Sequence, residues 1–362
     1  MSIAVVAHSN APGGAERYLV ELYRNASHPV LFGHLRGWQE ADLVSRQVEF
    51  GPKWNRTSIL NGVARLPAER SRLLAAVADA DFDYFHLQFK REQIGFSRAL
   101  SARAPVVWTE HGRFIGGLNG ALLGRAYRRA SRYVRGVLCV SETVAESVAR
   151  VVRPSVAIEV IENGIDLAGF QPASLPAKIA AKRVLGVPGG ARVAAWVGQL
   201  HDGKAPEKII SIAENFEGVV VVAGDGPLRG ELQRDSTHLD NIKWLGHVND
   251  VRTVLAAADV FLFTSKNRGE GYPTTSMLEA GASGLPTITD AASGAGRVAQ
   301  LSGGSVIQGR DWGPSIDRIV GSEVASHRAR AWAEGHSLTA WRRSHEQSLT
   351  RILDRKIDLG AG

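Results

Sequence analysis

Hydrophobic positions along the chain follow two patterns, and segments of the two patterns alternate. Continuous runs rich in Val and Ile, typical of buried strands, are separated by segments whose apolar residues recur at helical spacing. In the first half the strand-like runs are IAVVAHS, PVLFGHL, DYFHLQF, APVVWTEHG and VRGVLCVS. Because these strands alternate with helices and are apolar throughout, they predict a parallel sheet covered on both faces, as in a Rossmann-like unit.

The same alternation starts again after an Asn-Gly turn and two prolines in VIENGIDLAGFQPASLP. Five further strands are predicted in VAAWVGQL, GVVVVAGDG, IKWLGHV, DVFLFTS and LPTITD. The fold class is therefore α/β, with Rossmann-like domains over residues 1–167 and 168–335. A terminal helix within 336–362 has one largely apolar face suited to packing, formed by Leu338, Trp341, His345, Leu349, Ile352 and Leu353.

Composition limits the class of protein. The chain has 362 residues, of which 44% are hydrophobic and 22% charged, as in a globular protein large enough for two cores. No apolar run approaches the roughly 20 residues that span a bilayer, and the N-terminus does not resemble a cleavable leader. The single cysteine, Cys139, lies in the apolar run GVLCVS and is interpreted as a buried hydrophobic side chain. These features predict a cytoplasmic protein.

The formal charge of +7 favours an anionic partner, such as nucleic acid, an anionic membrane or a phosphorylated small molecule, although such an excess is most often solvated surface. Arginines gather in GRAYRRASRYVRG and predict a basic amphipathic helix. Two alternatives stay open: this Arg125–Arg135 helix contacts the inner face of the membrane, or it is solvated in an enzyme that modifies a soluble metabolite. The second is favoured because no apolar edge is expected beside Arg125, Arg128, Arg129, Arg132 and Arg135, which lie opposite Leu122, Ala126, Tyr127, Ala130 and Val134.

In sheets of this kind, ligands bind beyond the carboxyl ends of the strands. Gly13 and Gly14 follow the first strand and open a helix, so their N–H groups are suited to a phosphate, although an empty turn of this kind is equally common. In the second domain, Lys204 follows Gln199 by five positions in VGQLHDGK. Its ammonium group would neutralise a pyrophosphate, and a solvated lysine is the alternative.

The stretch GEGYPTTSMLEAGASGLP contains two glutamates, Glu270 and Glu279. The two acceptor oxygens of a carboxylate match the vicinal diol of a ribose, which favours Glu279 as a ribose ligand, whereas Glu270 would reach a sugar hydroxyl. The alternative is that Glu270 is a solvated loop acid and that Glu279 caps a helix. Backbone amides of the turn between them can point at phosphate or sugar oxygens. The turn residues are Gly271, Tyr272, Pro273 and Thr274, of which the proline lacks an N–H.

The same stretch resembles the signature of the family 4 retaining glycosyltransferases: a glutamate, a glycine, an aromatic residue and a glycine or proline, then a second glutamate leading into Ala-x-Ala-x-Gly-x-Pro. Further motifs of that family are resembled, in order, by GGAERYLVEL, TEHG, VIENGIDLAGF, VGQLHDGK and VVAGDGPLRGEL. The resemblance extends from residue 1 to about residue 350. It implies the GT-B architecture: two Rossmann-like domains facing across a cleft, the second holding a nucleotide-sugar donor, and a C-terminal helix packing back on the N-terminal, acceptor-binding domain.

The resemblance also implies roles for single residues. Glu279 would bind the ribose, and Glu270 with the amides after it would contact the donor sugar. Lys204 would hold the pyrophosphate and Gly14 would touch its distal phosphate, while His111 would face the transferred sugar and the acceptor. His111, Lys204 and Glu270 are therefore the predicted catalytic residues. The base would rest against the backbone of Gly246, His247 and Val248.

Two departures from the family pattern affect these roles. Gln199 stands where the family usually has an arginine, so one cation is missing from the pyrophosphate site. Eight residues rather than the usual seven separate Glu270 from Glu279. If Glu279 keeps its place, Gly271 occupies the position of the first acid, and the role of Glu270 is the less secure of the two.

The chemistry implied by the resemblance is cleavage of an anomeric C–O bond while charge grows on the departing pyrophosphate. In the front-side retaining route suggested for this family the departing phosphate accepts the acceptor's proton, and His111 orients the reactants. A histidine after a buried strand is also typical of a structural one, and His86 is a weaker candidate. The acidic run DADFD, residues 79–83, is interpreted as a solvated junction, so no metal is expected. No cofactor is expected besides the donor, with UDP sugars favoured over GDP sugars.

The favoured function is transfer of a hexosyl or N-acetylhexosaminyl group to a hydroxyl acceptor, either a soluble metabolite or a lipid or polysaccharide precursor. A nucleotide-sugar epimerase or hydrolase on the same fold is the alternative, but it would need a second acid–base set that the sequence does not reveal. A binding protein with a decayed site is supported only by Gln199. No nucleic-acid partner is expected.

Overall fold

The computed structural model describes residues 2–10, 13–24, 26, 28–51, 54, 59–114, 118–266, 271–309 and 311–355. They form two compact units. The first comprises the described residues up to Glu162, Gly271, and those from Arg342 onward. The second comprises Asn163 to Lys266 and Tyr272 to Trp341.

The first unit is built on a seven-stranded sheet in the order β3-β2-β1-β4-β5-β6-β7. Every neighbouring pair in this sheet is parallel. The strands are β1 (Ile3–Ser9), β2 (Pro29–Leu35), β3 (Ser45–Arg46), β4 (Tyr84–Leu87), β5 (Val106–Glu110), β6 (Gly136–Cys139) and β7 (Ala157–Val160). The helices between them are α1 (Gly14–Tyr23), α2 (Ile59–Ala76), α3 (Lys90–Leu100), α4 (Leu118–Ala130) and α5 (Glu142–Ala149).

The second unit contains a six-stranded sheet in the order β10-β9-β8-β11-β12-β13, again parallel throughout. Its strands are β8 (Val193–Val197), β9 (Val219–Ala223), β10 (Ile242–Gly246), β11 (Val260–Phe263), β12 (Thr287–Asp290) and β13 (Ser305–Ile307). The helices are α6 (Leu175–Val184), α7 (Lys208–Glu214), α8 (Arg229–Asp235), α9 (Arg252–Ala257), α10 (Thr275–Ala282), α11 (Gly296–Leu301), α12 (Trp312–Ile319) and α13 (Glu323–Glu334). The last helix, α14 (Leu338–Asp354), begins in this unit.

Both faces of the second sheet are buried, as the continuous apolar runs predict. Ala194 and Trp196 of β8 belong to one hydrophobic cluster, whereas their neighbours Val193 and Ala195 belong to another. Successive residues of a strand point to opposite faces of a sheet, so each face has its own core. The predicted α/β class with two parallel-sheet units is confirmed.

The sequence pattern missed β3, β7 and β13. These strands have two, four and three residues. Each lies at the edge of its sheet. Edge strands pair on one side only, so they lack the long Val/Ile runs that identify central strands.

The C-terminal part of α14 packs on the first unit, as predicted. The guanidinium group of Arg342 donates two hydrogen bonds to the carbonyl oxygen of Glu21, at 3.0 and 2.9 Å. Arg351 forms an ion pair with Glu159 of β7 at 2.6 Å. Ile352 is fully buried against Gly136, where a Cβ would lie 2.8 Å from its side chain.

Further expectations concern the cysteine, the acidic run, a metal site and the membrane. Cys139 is buried in β6 and burial raises the pKa of its thiol, in agreement with the predicted hydrophobic role. Asp79, Asp81 and Asp83 are exposed between α2 and β4, as a solvated junction requires. Within the described ranges, no group of three or more His, Cys, Asp or Glu is arranged to hold a metal ion. None of the helices in the part of the chain that the structure describes is both long and apolar enough to cross a membrane.

Candidate functional site

The strand order of the second unit reverses between β8 and β11. Ligands of open parallel sheets bind beyond the carboxyl ends of the strands at such a switch point. The loop after β8 contains Lys204, and the chain after β11 leads into α10, which contains Glu279. The two residues with the strongest predicted donor roles therefore lie on segments that flank the switch point.

The loop after β8 holds the backbone of Lys204 in place. His201 accepts a hydrogen bond through Nδ1 from the N–H of Gly203, at 3.1 Å. The hydroxyl of Thr264, directly after β11, donates to the carbonyl oxygen of Lys204 at 2.7 Å. Ala205 follows with a left-handed φ of 47°, a conformation that costs a residue with a Cβ about 1–2 kcal/mol. Thr264, which the sequence reading missed, thus joins the two strands of the switch point at this lysine.

Cations are abundant at this switch point, but most are neutralised locally. The half-buried Lys204 has its Nζ 5.6 Å from the centroid of the Phe263 ring. Lys208, in the first turn of α7, forms an ion pair with Asp290 at the end of β12. Because that ammonium group already has a carboxylate partner, Lys208 does not supply the cation that is missing at position 199, where the family usually has an arginine.

Lys266 is the third lysine of these loops and follows β11. Its ammonium group lies 2.5 Å from a carboxylate oxygen of Asp202 and 3.4 Å from one of Glu207. Hydrogen bonding to Asp202 raises the pKa of Lys266, so it is charged at neutral pH. Its backbone N–H donates to the carbonyl of Gly203 at 3.0 Å, which ties the ends of β8 and β11 together a second time.

The Gly-Tyr-Pro turn begins at the edge of the described residues, and the predicted role of Glu270 lies outside them. A Cβ on Gly271 would lie 2.8 Å from the side chain of Val140, so only glycine fits without a shift. Tyr272 is buried, with its ring edge-on to Phe263. Pro273 has a cis peptide bond with Tyr272, and its carbonyl accepts a hydrogen bond from the Asn163 side chain at 2.9 Å.

Glu279 is buried, at 4% exposure, in the second turn of α10. Helix α10 begins four residues earlier, at Thr275. The alternative that Glu279 caps the helix is wrong, because Thr274 is the N-cap and accepts from the N–H of Met277 at 3.4 Å. Burial of a carboxylate needs polar partners, so Glu279 is not a solvated surface acid, and its contact with a ribose stays a prediction.

Glycines allow the loops after β8, β9 and β10 to lie against one another. A Cβ on Gly224 would lie 1.7 Å from the carbonyl oxygen of Gly198, and one on Gly226 would lie 2.4 Å from that of Leu200. The N–H of Gly224 donates to the carbonyl of Gly246 at 2.8 Å. The result is a floor of backbone groups at the carboxyl end of the sheet, which we call the glycine floor (residues 198–200, 224–226 and 246).

The residues predicted to contact the base lie at the end of this floor. Gly246 ends β10 with a φ of 71° at a register shift, while His247 is exposed and Val248 half-buried. Positive φ is the reason why glycine suits this position. The structure therefore places these residues beside the loops after β8 and β9, and their contact with a base stays a prediction.

In the first unit the strand order reverses between β1 and β4. Gly13 is the N-cap of α1, and Gly14 is its first residue. A Cβ on Gly13 would lie 2.3 Å from a carboxylate oxygen of Glu16, which is itself buried and accepts from the Ser9 hydroxyl at 2.5 Å. A carboxylate therefore already lies at the positive end of this helix. The predicted phosphate contact of Gly13 and Gly14 is untested, and it would require Glu16 to move or to lose its charge.

The predicted acceptor-side histidine, His111, follows β5 and is half-buried. The ring of Tyr18 lies edge-on to it, with the ring centroids 4.6 Å apart. The Tyr18 hydroxyl is hydrogen-bonded to Nε2 of His345 in α14. The orientation of His111 thus depends on an aromatic residue that is itself held from the far end of the chain.

His86 belongs to the buried interior of the first unit rather than to its rim. Its Nδ1 is 2.5 Å from the Tyr23 hydroxyl, and its Nε2 is 2.6 Å from the Thr109 hydroxyl. Burial, together with His345 and His111, lowers the pKa of His86 to about 3. The imidazole is therefore neutral at neutral pH and is better suited to hydrogen bonding within the unit than to proton transfer with a ligand.

An ion pair between a lysine and a glutamate, which the sequence does not reveal, lies at the end of β5. The ammonium nitrogen of Lys90 lies 2.5 Å from Oε2 of Glu110, the residue before His111. The Tyr127 hydroxyl donates to the other oxygen of Glu110 at 2.7 Å. Burial lowers the pKa of Lys90, while Glu110 opposes the shift. Lys90 and Glu110 are 20 positions apart in the chain, so no local pattern indicates the pair.

The basic segment differs from the predicted helix in two respects. Helix α4 ends at Ala130, and Arg135 lies beyond it, donating to the carbonyl of Arg355 at 2.6 Å. Leu122 does not lie on the buried face: it is 57% exposed, beside the exposed Arg125 and Arg129. The expectation that no apolar residue accompanies the arginines is therefore wrong.

Two protein-family models match the chain. Glycosyltransferase Family 4 matches residues 12–168, and Glycosyl transferases group 1 matches residues 191–320. The first match lies mainly in the first unit and the second in the second unit.

Two named relatives each match less than half of this chain. A GDP-mannose-dependent monoacylated alpha-(1-6)-phosphatidylinositol monomannoside mannosyltransferase of Corynebacterium glutamicum is 30% identical over 165 residues, 42% of this chain and 43% of that protein. A UDP-Gal:alpha-D-GlcNAc-diphosphoundecaprenol alpha-1,3-galactosyltransferase of Escherichia coli is 37% identical over 142 residues, 36% of each chain. The matched stretches thus span less than half the length of these relatives. Among solved structures, Anabaena HepE in complex with UDP superposes with a TM-score of 0.81 at 18% identity, covering 97% of this chain and 100% of that one, a likeness of fold.

Proposed function

Because the chain belongs to the family 4 glycosyltransferases, we propose that it is an enzyme that transfers a glycosyl group from a nucleoside diphosphate sugar to a hydroxyl group of an acceptor. The observation that supports this most is the coincidence of both family matches with two units of the parallel-sheet type. Nothing in the matches reported above supports an epimerase or a hydrolase.

The second unit is proposed to bind the donor. The ammonium group of Lys204 would meet the diphosphate, since its backbone is fixed by Thr264 at the switch point. The buried carboxylate of Glu279 would accept hydrogen bonds from the two ribose hydroxyls. The transferred group is proposed to be a hexosyl or N-acetylhexosaminyl residue.

The leaving diphosphate gains negative charge as the anomeric C–O bond breaks and the sugar ring becomes oxocarbenium-like. We propose that Lys204 and backbone amides stabilise this charge, with no metal ion taking part. The departing phosphate would accept the proton of the attacking hydroxyl on the same face of the sugar, so the product keeps the anomeric configuration of the donor. His111, oriented by Tyr18, would position the acceptor hydroxyl.

Transfer is tested by incubating the protein with UDP-glucose, UDP-galactose, UDP-GlcNAc or GDP-mannose, with EDTA present, and measuring release of the nucleoside diphosphate. We expect one of these donors to release its nucleoside diphosphate, and to do so only when an acceptor is present. NMR of the product should show the same anomeric configuration as in the donor. A sugar linked to diphosphoundecaprenol is a suitable first acceptor, since the E. coli relative is named for it. D-inositol 3-phosphate is a second, since a D-inositol 3-phosphate glycosyltransferase of Mycolicibacterium smegmatis is 29% identical to this chain over 199 residues. Acceptor-independent conversion would support the epimerase or hydrolase instead, and activity restored only by Mg²⁺ or Mn²⁺ would contradict the metal-free route.

We further propose that the acceptor is linked to a lipid and that the enzyme binds it at an anionic membrane surface. The relatives from C. glutamicum and E. coli are named for acceptors that contain lipid, a phosphatidylinositol mannoside and a diphosphoundecaprenol sugar. In this chain, α4 exposes Leu122 near two exposed arginines, and an exposed apolar side chain beside cations is typical of a surface that binds anionic lipid. Arg125 and Arg129 follow Leu122 by three and seven positions, one and two helical turns along that face.

Vesicle sedimentation tests this surface. The wild type should sediment with vesicles that contain phosphatidylglycerol but not with pure phosphatidylcholine, and high salt should release it, because each arginine near an anionic surface contributes about 1 kcal/mol. The double variant Arg125→Glu, Arg129→Glu should remain in the supernatant, and Leu122→Ser should bind more weakly. Arg234→Glu, which changes another exposed arginine, in α8, is the control. Equal sedimentation of the double variant and the wild type would remove α4 from the proposal.

A further inference from the structure

One arginine outside the predicted site lies on the glycine floor. Arg229 is the first residue of α8, after the turn that follows β9. Three atoms of its guanidinium group would lie 2.8 to 3.1 Å from a Cβ on Gly246. The group therefore lies across the end of β10, in the space that a side chain at position 246 would fill. The positive φ favours glycine at position 246, and a Cβ there would displace the guanidinium group.

The guanidinium group is tethered but not enclosed. Its Nη1 lies 3.2 Å from Oδ2 of Asp225, and the Arg229 side chain is 36% exposed. Asp225 lies in the turn before α8, and an exposed ion pair of this kind contributes only about 0.2–1 kcal/mol, so it is a weak reason to place an arginine here. What the pair does is fix the orientation of a planar group that has further N–H donors and an open side.

The position on the sheet relates Arg229 to the candidate phosphate site. Lys204 follows β8, whereas Gly246 ends β10, and β9 lies between these strands. Neighbouring strands are about 4.8 Å apart, so the carboxyl ends of β8 and β10, from which the Lys204 loop and the Gly246 turn begin, are separated by roughly 10 Å. The ribose of an extended nucleotide spans a separation of this order between its diphosphate and its base.

From this geometry we infer that Arg229 is the side chain that binds the nucleobase of the donor, by stacking on it and donating to its carbonyl oxygens. The inference rests on the proposed function. The net charge of the pair with Asp225 is zero, which suits a neutral planar base better than a second phosphate. Guanidinium groups have donors only, so the site favours bases with ring carbonyls, uracil or guanine, over adenine, whose exocyclic group is an amine.

Calorimetric titration of wild type, Arg229→Lys and Arg229→Ala with UDP, GDP, ADP and inorganic pyrophosphate tests the inference. The wild type should bind UDP or GDP more tightly than ADP. Both variants should bind the preferred nucleotide about tenfold more weakly, because lysine keeps the charge but loses the plane. Pyrophosphate affinity should not change in either variant. Arg234→Ala, an exposed arginine on the same helix, should match the wild type in every titration.

Three results would overturn the assignment. The first is unchanged UDP and GDP affinity in Arg229→Ala. The second is a loss of pyrophosphate affinity in both variants as large as their loss of nucleotide affinity, and the third is a wild-type preference for ADP. The second of these would make Arg229 a phosphate ligand. Failure of the wild type to bind any of the four probes would instead contradict the proposed function, and the assignment with it. Thermal unfolding of each variant confirms that it is folded before titration, and Arg229→Lys provides the test if the alanine variant is not.

Discussion

Replacing Lys204 by alanine is expected to lower kcat by about 100- to 1,000-fold, the effect of removing one preorganised donor from a developing anion. The backbone should stay in place, because the bond from Thr264 to the carbonyl of residue 204 does not involve the side chain. The Lys204 side chain is half-buried, so its loss leaves no enclosed cavity. Steady-state kinetics with the donor that the wild type accepts, together with thermal unfolding of both proteins, measures the two quantities.

Lys178→Ala is the matched control for this variant. Like Lys204, Lys178 belongs to the second unit. It forms an ion pair with Asp259, at 2.8 Å. Asp259 immediately precedes β11 and so lies at the amino end of the sheet, away from the switch point. The kcat of Lys178→Ala should equal that of the wild type. If Lys204→Ala also turns over at the wild-type rate while remaining folded, Lys204 is not the cation that stabilises the leaving group.

Glu279→Gln is expected to weaken UDP or GDP binding by about 10- to 100-fold, because charge-assisted hydrogen bonds to a carboxylate contribute about 1.5–3 kcal/mol. Glutamine has the same shape, so it avoids the cavity that alanine would create at a position only 4% exposed. The helix should be unaffected, since it is the backbone carbonyl of Glu279 that accepts from Ser283, at 2.9 Å. Glu279→Ala should lose at least as much affinity and also some stability.

The 2′-deoxynucleotide separates a ribose contact from a general loss of affinity. Wild type should bind UDP more tightly than 2′-deoxy-UDP, and Glu279→Gln should bind the two with nearly equal affinity, because the hydroxyl that distinguishes them has lost its charged acceptor. A double-mutant cycle of this kind isolates the pairwise interaction. If the variant keeps the full preference for UDP, or if thermal shifts with nucleotide are the same in both proteins, Glu279 does not bind the ribose.

The central strands were predictable because their sequences encode burial on both faces. β1, β5, β8, β9 and β11 each present a continuous apolar run that only a covered parallel sheet accommodates. The same local chemistry indicated the glycine turns after β1, β8 and β9. The order of the strands was not predictable from these runs, since hydrophobicity says which strands are central but not which neighbours pair.

The candidate site was predictable only in part, and the errors have a common origin. Lys204 and Glu279 were found because a short motif surrounds each of them. The position of Glu16 at the start of α1 was missed because it depends on how a side chain folds back onto Gly13. The exposure of Leu122 was missed because a 3.6-residue period does not say where along α4 the packing ends.

The sequence by itself determined the class of fold, the location of the loops after each strand and the residue types available for phosphate, ribose and base. It determined these because strand burial, glycine turns and helix periodicity are properties of neighbouring residues. Only the tertiary structure decided which polar groups meet: Lys208 with Asp290 across 82 positions, Tyr18 with His345 across 327, and the guanidinium group of Arg229 with the space beside Gly246. Such contacts depend on strand order and helix packing, which bring distant segments together and leave no periodic trace in the chain.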